Sequence, residues 1–200
     1  YKDEVRQRQL ISIEDAAKMV RATIDTRDRA ILLLFLKTGI RRGELISLDV
    51  ADIDLPGQKI ILKPTAKRSN RIVFFDDEVE RSLRRWLAAR ETRYRKRGES
   101  ALFISNKGTR LQTAAIDVLV RVAAERVGLH DSASERLEDK FTPHCCRHFF
   151  TTHLLRAGMR REYVQWLRGD AIREAVDIYY HIDPEDVRCA YLACIPQLGI

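Results

Sequence analysis

Five side chains spread along this chain are of the types needed to break a phosphodiester without a metal ion: Arg41, Lys67, His144, Arg147 and Tyr179. Arginine forks bind non-bridging phosphate oxygens, where charge builds in the transition state. A lysine can protonate the leaving oxygen, and a tyrosine can form a covalent ester with phosphorus. His144 and Arg147 are three residues apart, so on a helix they share one face and can approach one phosphate together. Tyr179 stands 32 residues after Arg147, inside the stretch IYYHI. Its rival is Tyr180, but neighbouring helical residues point about 100° apart, so only one of the two can face the phosphate.

Each residue also has a plainer role to weigh. Arg41 could be a surface residue at a helix start, with Arg42 beside it. Lys67 competes with Lys63 and Arg68 within one basic segment. A lone histidine is more often a satisfied core residue than a catalyst, and His148 and His181 read as structural. The stretch HCCRH (residues 144–148) invites a zinc site, yet adjacent helical thiols do not converge on one ion and no second ligand pair follows. The cluster Asp49, Asp52 and Asp54 raises a magnesium nuclease, but these residues sit before a hairpin and fit turn and cap roles better.

The elements that must hold these groups are mostly helices. Ser12 with Asp15 opens a helix over residues 12–20, and a second runs over 25–37 to a stop at Gly39. A short helix over 42–48 follows Arg41. Residues 58–62 and 71–75 are rich in Ile, Val and Phe and predict a hairpin, with the polar segment KPTAKRSN carrying Lys67 at its tip. Asp76 caps a helix to about residue 95, whose basic end RYRKR (93–97) is a solvated run. A short strand over 102–104 and a helix over 113–127 come next, then a polar loop over 130–140 read as mobile. Helices over 143–157, 161–167, 171–180 and 184–195 complete the chain, the last with Asp183 as cap and Pro184 in its first turn. The fold class is therefore mainly α with a small antiparallel β-sheet.

The 200 residues suit one domain, and 45% hydrophobic content can build its core. The 36 Lys and Arg against 29 Asp and Glu leave +7, which favours a polyanionic partner without choosing among DNA, RNA and anionic membrane. The longest apolar run, AILLLFL at 30–36, is far too short for a membrane span. Four cysteines without a CxxC pair, and a charged start with no secretory signal, fit a reduced cytoplasmic setting.

The ordered set of motifs resembles the catalytic domain of the tyrosine recombinases, or phage-type integrases, over nearly the whole chain. That family's pattern runs TGxRxxEL, a hairpin lysine, HxxRH, LGH and IYxH. This sequence supplies Thr38-Gly39-Ile40-Arg41 with Glu44-Leu45, then Lys67, His144 to His148, Arg168-Gly169-Asp170, and Ile178-Tyr179-Tyr180-His181. The resemblance implies that Tyr179 attacks DNA to form a 3′-phosphotyrosyl link. Arg41 and Arg147 would clamp the phosphate, Lys67 act as general acid and His144 assist, with no metal, ATP or other cofactor. It also implies a double-stranded DNA partner and four protomers on two duplexes, with integration, excision or resolution as the task. Arg42, Lys63, Arg68, Arg71 and Arg168 are the candidate DNA contacts. One catalytic domain over 1–200 is expected, without the family's N-terminal DNA-clamping domain.

One position departs from the pattern. The family carries histidine or tryptophan after the LGH glycine, where this chain has Asp170. An ionised carboxylate cannot donate to phosphate and repels it. Asp170 is therefore expected to turn away, or to pair with an arginine such as Arg168. The alternatives are topoisomerase IB-like relaxation and a DNA-binding regulator that has lost catalysis. In the tail, Val187, Ala190, Tyr191, Cys194 and Ile195 form an apolar face at helical spacing, which packs either on a neighbouring protomer or on its own domain.

Overall fold

The computed structural model describes residues 10–63, 71–94, 98–170 and 182–200. Lys67, Arg68, Tyr179, Tyr180, His181 and the helix expected over 171–180 lie outside these residues. Among the described residues the order is α1 (Ile13–Arg21), α2 (Thr26–Thr38), α3 (Arg42–Ser47), β1 (Ile53–Asp54), β2 (Lys59–Leu62), β3 (Arg71–Phe74), α4 (Asp77–Tyr94), α5 (Thr113–Glu125), α6 (Pro143–Arg156), α7 (Arg161–Arg168) and α8 (Pro184–Cys194).

Helix α2 is the centre of the domain. Every residue from Ala30 to Thr38 is buried, so this helix is covered on all sides, with α4 and α6 packed against it. Asp25 caps its start by accepting from the backbone N–H groups of Arg27 and Asp28. Gly39 ends it in the left-handed conformation at φ 58°. A side chain at Gly39 would run into the ring of Phe150 on α6, so glycine both ends the helix and lets it sit against α6.

The sheet is a three-stranded antiparallel meander in the order β1-β2-β3, in which Ile60 pairs with Val73 and both are buried. Strand β1 is an addition, formed where Asp54 was expected to serve only a turn. The short strand expected over 102–104 is absent as a ladder. Ala101 and Ile104 form single bridges to Asp49 and Arg110, because that segment is held by the main chain around Leu48 and Val50 rather than by a parallel run of partners. The segment 130–140, read as a mobile loop, includes a 3-10 turn at Leu137–Asp139. It is cross-linked by Lys140 Nζ donating to the carbonyls of Asp131 and Ser132.

A second apolar cluster joins Phe74 of β3, Phe150 and Leu154 of α6, Val164 and Leu167 of α7, and Val187, Tyr191 and Ile195 of α8 and its end. The apolar face of the tail thus packs on its own domain, and Tyr191 Oη donates to the carbonyl of Lys37 (2.9 Å). Burial of that tyrosine pushes its pKa well up, with Asp76 and Glu78 adding to the shift. Beyond α8 the chain is stitched down by charge. Lys37 is fully buried, pairs with Asp76 and Glu78 at 2.6 Å each, and donates to the carbonyl of Pro196. Glu78 also accepts from the backbone N–H groups of Leu198 (2.9 Å) and Ile200 (3.1 Å).

Candidate active site

Arg41 follows the Gly39 turn directly and stands as the N-cap of α3. Its backbone N–H donates to Glu44 Oε2 at 2.6 Å, which places Glu44 back under the start of the helix. Arg147 lies in the first half of α6 and is 7% exposed. Its Nη1 donates to the carbonyl of Gly39 at 2.5 Å and its Nη2 to the carbonyl of Arg168 at 2.8 Å. Arg41 Nη1 donates to that same Arg168 carbonyl at 3.0 Å. Two guanidiniums separated by over a hundred residues of sequence therefore converge on the end of α7. The left-handed Gly169 (φ 58°) turns the chain there and presents the carbonyl.

Asp170 stands in the middle of this convergence. Its Oδ1 lies 3.5 Å from Arg41 Nη2 and 3.3 Å from Arg147 Nη2. Its Oδ2 is 2.9 Å from Arg168 Nε, a close ion pair whose N–H is out of line for a hydrogen bond. The carboxylate does not turn away, and its pairing extends past Arg168 to both phosphate-clamp candidates. Burial is the main influence pressing the Arg147 pKa below the ordinary guanidinium range, to about 9, with the charges of Arg41 and Arg168 adding to it. Arg147 is still positive at neutral pH.

Glu44 is the functional residue whose role the motif alone did not reveal. Its carboxylate takes a two-pronged contact from Arg71, at 2.5 and 3.0 Å, and a further bond from Arg41 Nη1 at 3.3 Å. Burial pushes its pKa up, but the hydrogen bonds and charges of Arg71 and then Arg41 outweigh it and hold the group down at about 2. The signal was the Glu of the GEL stretch, three residues after Arg41, where a capping residue belongs.

Arg71, expected at the DNA surface, is instead nearly buried. Its Nε donates to the carbonyl of Leu167 and its fork is occupied by Glu44, because β3 runs under the end of α7. Arg42 is exposed and paired with Asp117. Lys63 is paired with Asp49 and, at 3.5 Å, with Asp52, which anchors the end of β2. Arg168 joins the central cluster through Asp170. His144 is exposed in the first turn of α6, one turn before Arg147. Asp52 accepts from the backbone of Asp49, and Asp54 from that of Gly57, so both carry turn and cap roles. Cys145 and Cys146 are buried side by side in α6, and burial raises the Cys146 thiol pKa beyond any physiological range.

Two arginine forks converge behind a short helix start, an arrangement of the kind that can bind an anionic group such as phosphate, on a helical domain with a three-stranded sheet. The chain belongs to the phage integrase family, whose model matches residues 4–186. Among its relatives is the tyrosine recombinase XerC of Thermodesulfovibrio yellowstonii, 33% identical over 182 residues, covering 86% of this chain and 58% of the relative. XerC of Haemophilus ducreyi is 32% identical over 195 residues, covering 98% of this chain and 59% of that protein. This chain thus spans somewhat over half the length of the curated relatives it matches. The crystal structure of the XerA recombinase superposes with a TM-score of 0.73 at 29% identity, covering 94% of this chain and 65% of that one. The XerH site-specific recombinase bound to difH substrate shares the fold, with a TM-score of 0.69 at 24% identity over 92% of this chain and 53% of that one. No helix among the described residues is long and apolar enough to cross a membrane.

Proposed function

We propose that this chain is the catalytic part of a site-specific recombinase that breaks and rejoins double-stranded DNA through Tyr179. The observation that carries this is the convergence of Arg41 and Arg147 on one point, the carbonyl of Arg168. Such a pair can hold two non-bridging oxygens of a single phosphate and neutralise the charge that accumulates as phosphorus becomes five-coordinate. The Tyr179 oxygen attacks phosphorus, forming the Oη–P bond as the bond to the 5′-oxygen breaks. His144 assists removal of the tyrosine proton, and Lys67 supplies a proton to the leaving oxygen. The ester retains the energy of the broken bond, so attack by a 5′-hydroxyl of a partner strand reverses the chemistry and completes exchange without ATP or metal. Membership of the integrase family and the DNA-bound XerH neighbour support this assignment. The resemblance to the family extends the proposal to four protomers acting on two duplexes.

The test is covalent trapping on a nicked suicide substrate, where loss of the short leaving strand prevents rejoining. The chain is expected to form an adduct in the presence of chelator. Tyr179→Phe is expected to form none, while Tyr180→Phe retains it. An adduct that survives in Tyr179→Phe and disappears in Tyr180→Phe would move the nucleophile by one residue. No adduct on a substrate that the chain binds would reduce the function to DNA binding.

A further inference from the structure

We infer that Asp170 is an internal stand-in for phosphate, a carboxylate that occupies the arginine forks until a DNA phosphate displaces it. The inference rests on the proposed function and adds a built-in competitor to that site. A carboxylate presents two oxygens to arginine much as a phosphate does. Here one oxygen lies within 3.5 Å of Arg41 Nη2 and 3.3 Å of Arg147 Nη2, and the other lies 2.9 Å from Arg168 Nε.

A strut that merely holds the arginines in place would make the same contacts, but that work is already done by other groups. The carbonyls of Gly39 and Arg168 fix Arg147, and the carbonyl of Arg168 together with Glu44 fixes Arg41. These acceptors are main chain or nearly buried, and none depends on Asp170. Its own side chain is 30% exposed and follows the left-handed Gly169 at the end of α7, so it is reachable by solvent ions, and the inference has it swing out by side-chain rotation when phosphate enters. While it stays, it brings one negative charge to the point where a phosphate must bring another. Bound phosphate therefore has to displace this charge-assisted pairing or sit against it.

The experiment measures inorganic phosphate binding to the DNA-free chain by calorimetry, for the wild type and for Asp170→Asn and Asp170→Ala. Glu14→Gln removes an exposed negative charge from α1 and serves as the charge control. Both Asp170 variants are expected to bind phosphate about tenfold more tightly, since a charge-assisted hydrogen bond is worth roughly one factor of ten or more. Glu14→Gln should match the wild type, and adding Arg41→Ala to Asp170→Asn should abolish the gain. Equal or weaker binding by both folded Asp170 variants would overturn the inference, as would a gain that persists without Arg41. On the suicide substrate the same variants should form adduct faster than the wild type. If no protein forms adduct, the proposed chemistry fails, while the phosphate titration still decides the role of Asp170.

Discussion

Replacing Glu44 with glutamine tests whether the site is held up from beneath by one buried charge. In the folded chain the Glu44 side chain is 9% exposed and meets the Arg71 fork, the Arg41 guanidinium and the Arg41 backbone N–H. Its pKa is lowered from 4.5 to about 2, with burial working against the shift and the Arg71 contact dominating in its favour. A lowered folded pKa means that the ionised group stabilises the fold above the unfolded value, and that this contribution fades as pH falls from 4.5 toward about 2. The shift corresponds to about 3 kcal/mol at pH 7, falling to about 1 kcal/mol by pH 3. Breaking a buried ion pair by removing one partner costs a similar amount, about 3–5 kcal/mol. Urea denaturation of the wild type and Glu44→Gln at pH 7 should therefore differ by about 3 kcal/mol, and the gap should narrow steadily below pH 4.5. Paired with Arg71→Met, the second change should cost much less than it does alone, because the two residues share one interaction. A gap under about 0.5 kcal/mol, or one that stays constant with pH, would refute the buttress, since surface substitutions alone produce effects of that size.

Two further outcomes follow from the same geometry. Gly169→Ala places a methyl 2.5 Å from Arg71 Cδ in a backbone at φ +58°, so it should cost about 1–3 kcal/mol in urea denaturation and slow adduct formation by displacing the end of α7. Lys37→Ala leaves Asp76 and Glu78 buried without their shared cation, so denaturation should show a loss of about 3–5 kcal/mol, with faster proteolysis of the tail after α8.

Local chemistry was legible wherever it was written in neighbouring residues. The cap at Ser12, the helix start near Asp25, the stop at Gly39 and the start at Pro184 all appear where the sequence implies them, because each is satisfied within a few residues of itself. The runs of Ile, Val and Phe in the hairpin likewise predicted β2 and β3. The order of Arg41, His144 and Arg147, with its matching motifs, was enough to suggest the family. Nothing local distinguished Arg71 from a surface cation, since its partner Glu44 lies 27 residues away and the pairing exists only after β3 packs under α7.

The sequence by itself determined most of the described helices, the hairpin strands β2 and β3, the family and the types of group available for phosphoryl transfer, because helix caps, apolar periodicity and motif order are properties of short stretches of chain. Only the tertiary structure decided what each charge faces. It placed the apolar face of α8 on its own domain, put Glu44 beneath two arginines, and brought Asp170 between Arg41 and Arg147. The physical reason is that an ion pair depends on distance through space, and the chain sets that distance only when separate helices meet.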